Sequence, residues 1–129
     1  MTTNPDPAHT CVHTCAHAYA VLTTTTDAED KAHALAADII EDQLAACAQV
    51  FTVSSVYRWQ GAVERAQEWR IDFKTRGDLV EELARRIGEL HDYDTPEVIA
   101  VPVTAGSPAY LEWVSAETRG KTPGTEGVS

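Results

Sequence analysis

Two long β-type segments, CAQVFTVSSVYRW at 47–59 and AVERAQEWRIDFKTR at 62–76, flank the turn pair Gln60-Gly61. Long strands joined by so short a turn form an antiparallel hairpin, and everything else must pack around it. Side chains alternate between faces along a strand. In the first segment Phe51, Val53, Tyr57 and Trp59 share a face. In the second, Val63, Trp69, Ile71 and Phe73 lie on one face and Glu64, Glu68, Arg70, Asp72 and Lys74 on the other. The hairpin is therefore expected to have one apolar side and one charged side.

The remaining elements follow from local pattern. AYAVLTTTT reads as a buried first strand. Thr26 or Asp27 is expected to cap a helix carrying Ala32, Leu35, Ala36, Ile39, Ile40 and Leu44 at helical spacing and ending near Ala46. Asp78 is expected to cap a second helix with Leu79, Leu83, Ile87 and Leu90 inward. PEVIAVPVTA reads as a fourth strand, and Pro102 inside it favours a bulge or an edge position. Ser107-Pro108 marks the start of a short helix with Tyr110, Leu111 and Val114 on its apolar side. The order β-α-β-β-α-β plus a terminal helix is the ferredoxin-like α+β pattern, an antiparallel sheet with two helices on one face. One sheet face is then uncovered and the hairpin edges are unpaired, a liability that a closed symmetric oligomer removes.

Composition limits the partners. The formal charge of -10 argues against nucleic acid and anionic membranes, both of which demand clustered Lys and Arg. Three cysteines form no disulfide framework. No Lys or Arg precedes Lys31 and no apolar run approaches a membrane span, so a cytoplasmic protein is the expectation. Walker, G-x-G-x-x-G, H-E-x-x-H and G-x-S-x-G motifs are absent and no carboxylate spacing singles out an acid/base pair, so no enzyme activity is expected.

The most unusual stretch is HTCVHTCAH, which places His9, Cys11, His13, Cys15 and His17 within residues 9–17. These residues belong to an N-terminal arm, 1–17, ahead of a domain at 18–117 and a loose tail at 118–129. In an extended chain, residues two apart share a face about 6.5–7 Å apart, close enough for two imidazoles to bend to one ion. In a helix, Cys11 with Cys15, or His13 with His17, would stand one turn apart. Mixed imidazole and thiolate ligation suits Zn or Cu. The competing reading is an arm whose His and Cys are incidental.

SSVYRWQG at 54–61 resembles the S-x-Y-x-W-x-G turn of the CutA family of divalent-cation tolerance proteins. LAACAQV, FKT, HDYDTPEVIAVPV and GSPAYLEWV occur in that family's order and spacing, over roughly residues 18–117. The resemblance implies a ferredoxin-like homotrimer whose long hairpins reach neighbouring subunits, a link to copper and other divalent metals, and no defining catalytic activity. It also implies kinship in shape with the PII-type signal proteins, trimers that bind small ligands between subunits. The family's copper positions fall here on Thr23, Leu90 and His91, of which His91 alone can be a ligand. A trimer would bring three N-terminal arms together to share ions.

The other singled-out residues have plainer roles beside their functional ones. Cys47 reads as a small buried residue at a helix end and His33 as solvated. His91, at a helix C-terminus, either complements the dipole or ligates metal. Trp59, Trp69 and Trp113 read as packing anchors. Lys74 and Glu97 match charged family positions and could line an inter-subunit cleft with Trp59, Tyr93 and His91, or form an ion pair across an interface. The combined expectation is a homotrimer that binds a divalent metal of the Cu or Zn class. The alternatives are a PII-like small-molecule sensor or a structural scaffold.

Overall fold

The computed structural model describes residues 17–120. Along the chain come strand β1 (Tyr19–Thr26), helix α1 (Glu29–Glu41), strands β2 (Cys47–Trp59) and β3 (Ala62–Arg76), a single 3-10 turn (Gly77–Leu79), helix α2 (Val80–Leu90), strand β4 (Ile99–Pro102) and helix α3 (Pro108–Ala116). The sheet order is β2-β3-β1-β4 with every neighbouring pair antiparallel. This is the ferredoxin-like α+β arrangement expected from the element order. Both hairpin strands occupy the expected segments. β4 is shorter than the ten residues of its apolar run, and Pro102 closes it on a sheet edge, where its missing N–H costs no ladder bond.

The sidedness expected for the hairpin is wrong. Gln60 and Gly61 both take positive φ (52° and 83°), the backbone of a two-residue I′ turn. That turn pairs Trp59 with Ala62, and the register continues as Tyr57 with Glu64, Val53 with Glu68 and Phe51 with Arg70. Paired residues point to the same side. The aromatic face of β2 is thus the charged face of β3. The opposite face carries Val50, Trp69, Ile71 and Phe73, and it is this face that the helices cover.

The core lies there. Leu22, Ile71 and Phe73 from the sheet meet Ala32, Leu35 and Ile39 of α1 and Leu83 and Ile87 of α2, all buried. α1 stops at Glu41, short of the expected Ala46, because Gln43 turns into the left-handed region (φ 61°) and sends Leu44 and Ala45 back to the core as loop residues. The expected caps are also absent. Ala28 occupies the α1 cap, while Thr26 gives its hydroxyl proton to the Ala28 carbonyl (3.0 Å). Asp78 accepts two hydrogen bonds from Arg76 (2.9 Å each) instead of capping α2. Cys47 opens β2 and is half-buried, not buried at a helix end.

α3 starts at Ser107-Pro108 as expected and packs on the other sheet face. The Tyr19 hydroxyl meets Ser115 (2.6 Å), and Tyr110 lies beside Cys47. Thr118 and Arg119, the first residues of the expected loose tail, are anchored. Thr118 is buried and Arg119 donates to the Asp42 carbonyl (3.0 and 3.2 Å). Residues 1–16 and 121–129 lie outside the described residues.

β1 reaches only as far as Trp69 of β3. Residues 53–59 and 62–68 therefore form a two-stranded overhang, with no third strand beside it among the described residues. Its side chains are correspondingly open: Val56, Tyr57, Trp59 and Val63 are all exposed. On the sheet face away from α1 and α2, Phe51, Ile99 and Val101 are exposed as well, and on α3 so are the stacked Tyr110 and Trp113 (5.5 Å). No described helix is long and apolar enough to cross a membrane.

Candidate functional site

Two neighbouring features sit where β1 ends, α2 stops and the 91–97 segment begins. The first is His91, the C-terminal cap of α2. Its side chain is fully buried. Nδ1 accepts the Tyr93 backbone N–H (3.1 Å), which puts the ring proton on Nε2, and Nε2 donates to the Thr25 carbonyl (2.7 Å). The ring also stacks at a tilt on Tyr93 (4.7 Å). The two positions that accompany His91 in the resemblance are equally committed. Thr23 donates its hydroxyl proton to Asp72 (2.8 Å), which also accepts from Arg70 Nε (2.9 Å), and Leu90 packs against the core. Both imidazole nitrogens are engaged and neither neighbour is a soft donor, so these body positions do not fit a copper or zinc ion. Among the described residues no three of His, Cys, Asp and Glu come together as a metal site.

The second feature is a cavity of about 620 Å³ between the hairpin overhang and the 93–97 segment. Thr25, Ser55, Val56, Tyr57, Trp59, Glu68, Tyr93, Asp94, Thr95 and Glu97 line it. Glu68 is fixed in place: one carboxylate oxygen accepts from Ser55 (2.7 Å) and the other from the Tyr93 hydroxyl (3.3 Å). Burial, and after it the Glu68 carboxylate, push the Tyr93 hydroxyl up to about 12, so it remains an O–H donor at any physiological pH. Next to the cavity Lys31 bridges Asp27 and Asp92. The ammonium holds the Asp92 carboxyl below its ordinary range and ties α1 to the segment that follows His91.

The structure brings together some of the residues singled out in the sequence and separates others. Trp59, Tyr93 and Glu97 line one cavity. Trp59 and Trp113 stand on the surface, and Trp69 alone of the three tryptophans packs against the core of the subunit. Lys74 is remote from the cavity: it pairs across to Cys47 at the other end of the hairpin and donates to Gln49 (2.6 Å). His33 is solvent-exposed, 3.6 Å from Glu29. Of the arm, His17 is exposed at the start of the described chain, while His9, Cys11, His13 and Cys15 lie outside the described residues. Sequence reasoning missed Glu68, Asp94, Ser55 and Tyr57 as cavity residues. The hairpin register held the missing signal, since it sets Glu68 opposite Val53, two residues along β2 from Ser55.

A sequence model of the family described as CutA1 divalent ion tolerance protein matches residues 20–117. The chain is 44% identical over 86 residues to the chloroplastic protein CutA of Arabidopsis thaliana, covering 66% of this chain and 47% of that one. It thus spans about half the length of that relative and of a rice one. It is 35% identical over 99 residues to the divalent-cation tolerance protein CutA of Thermus thermophilus, covering 76% of this chain and 96% of that one. Among solved structures, CutA1 from Oryza sativa superposes with a TM-score of 0.77 at 36% identity, covering 80% of this chain and 95% of that one. CutA1 from Pyrococcus horikoshii gives 0.76 at 34%, covering 78% and 99%. Motifs, fold and extent agree, and the chain belongs to the CutA family of divalent-cation tolerance proteins.

Proposed function

We propose that this chain works in the cytoplasm as a homotrimer that binds a divalent metal of the copper or zinc class and contributes to cation tolerance, without catalysing a reaction. Membership of a divalent-cation tolerance family supports the tolerance role. The observation that carries the siting of the metal is the engagement of both ring nitrogens of His91. With Thr23 and Leu90 beside it, the body has no soft donor set to offer, so His9, Cys11, His13, Cys15 and His17 of the arm supply the ligands. The apolar side chains left exposed on the sheet face away from α1 and α2 support assembly, because such a patch is stable in water once another copy covers it.

The test is calorimetric titration of Cu and Zn into the reduced full chain and into a version starting at Ala18. Binding is expected in the full chain and lost in the shortened one. Equal binding in both would put the metal in the body and overturn the arm as its site.

A second reading is favoured by the cavity itself. Its size and mixed aromatic and polar walls suit a small molecule. On this reading the chain is a PII-like trimeric sensor, with Trp59, Lys74, Tyr93 and Glu97 at a cleft between subunits; within one subunit Lys74 stands apart from the other three.

A further inference from the structure

The cavity's wall carries a definite charge. Among the described residues Glu68, Asp94 and Glu97 line it, and no Lys, Arg or His of one subunit does. Glu68 is anchored by Ser55 and Tyr93. Among the described residues Asp94 and Glu97 take part in no ion pair and accept no side-chain hydrogen bond. The carboxylates are also dispersed, since no three acids or other ligating side chains among the described residues converge on one ion. A single metal ion cannot satisfy all three. Tyr57, Trp59 and Tyr93 also line it, and aromatic rings beside carboxylates are the surroundings that stabilise an ammonium group. An anionic ligand such as a nucleotide would meet three carboxylates with no cation to offset them.

Resting on the small-molecule reading above, we propose that this cavity binds a linear organic dication of the diamine class, its two ammonium groups shared among Glu68, Asp94 and Glu97 and its carbon chain against Tyr57, Trp59 and Tyr93. The span between charges is what separates such a ligand from a metal dication. The volume, about 620 Å³, lies within the range of small-molecule sites. Asp94 and Glu97 are exposed, so neutral isosteres there leave the fold intact.

The experiment titrates 1,4-diaminobutane into the full chain at fixed ionic strength, read by calorimetry and by tryptophan fluorescence, with butylamine, Mg²⁺ and ATP as comparators. Saturable binding of the diamine is expected, at least tenfold tighter than butylamine or Mg²⁺. Glu97→Gln should weaken it at least tenfold and Asp94→Asn/Glu97→Gln should abolish it. Diamine binding that survives the double substitution would overturn the site, and Mg²⁺ binding of equal strength would overturn the organic class. ATP binding without diamine binding would overturn the charge class and leave the sensor reading standing. No binding of any probe would overturn both, and would mark the cavity as space filled by a neighbouring subunit.

Discussion

At the scale of single residues, His91 shows how a side chain can look like a ligand and serve as a brace. Its position at a helix end was legible in the sequence, but its hydrogen-bond partners were not. They are backbone groups of Thr25 and Tyr93, and no side-chain pattern encodes them. His91→Ala is expected to leave copper affinity unchanged while lowering stability by about 1–3 kcal/mol, since two partly buried backbone groups lose their partner. A large loss of affinity in the same titration would restore His91 as a ligand. Tyr93 makes a second prediction. Its hydroxyl is raised from 10.0 to about 12 by burial and by Glu68. A raised acid favours the folded state while it stays protonated, so its contribution is whole below pH 10 and is lost as pH climbs from 10 towards 12. Spectrophotometric titration should show Tyr93 and Tyr110, both pushed up by burial, ionising late, and Glu68→Gln should bring Tyr93 down. Within one subunit Lys74 and Glu97 stand apart. Motif positions alone do not reveal that one lies at the base of the hairpin and the other beside its far end.

At the scale of elements, the hairpin was the most legible part of the chain and also the source of the largest error. Alternation of side chains and the Gln60-Gly61 turn located both strands to the residue. Periodicity gives each strand a greasy face but does not say whether the two faces coincide. A two-residue turn makes every pair sum to the same odd number, so odd positions of β2 meet even positions of β3. The turn length alone therefore encodes which faces meet. Helix ends were less legible for a different reason. α1 continues its apolar periodicity through Leu44, and only the left-handed backbone of Gln43 breaks it. Gly61 carries the element-scale prediction. A methyl group there meets nothing within 4 Å, yet φ of 83° is strained for any side chain. Gly61→Ala should cost about 1–2 kcal/mol, read as a lowered thermal midpoint. An unchanged midpoint would mean that the turn relaxes without cost.

At the scale of the whole molecule, the sequence disclosed the topology because strand and helix periods alternate in an order with few solutions. It disclosed much less of the cavity, which is assembled from β1, the hairpin and the 93–97 segment and depends on register and loop path together. The assembly prediction belongs here. Sedimentation of the full chain should give a mass near three copies. Trp59→Ala, which trims an exposed indole on the overhang, should shift that equilibrium towards free subunits by about 2 kcal/mol. An unchanged profile would remove Trp59 from the interface.

The overhang has one more consequence. A two-stranded ribbon with no third strand is marginal in water by itself. Residues 53–59 and 62–68 therefore owe their rigidity to whatever lies against them. The same ribbon supplies most of one wall of the cavity, through Ser55, Val56, Tyr57, Trp59 and Glu68. In the proposed trimer with the proposed ligand in the cavity, association and occupancy act on this one ribbon, and each is the other's effector. By reciprocity, whatever stiffens the ribbon for a ligand strengthens assembly by the same factor, and dilution of the chain loosens the ligand's grip.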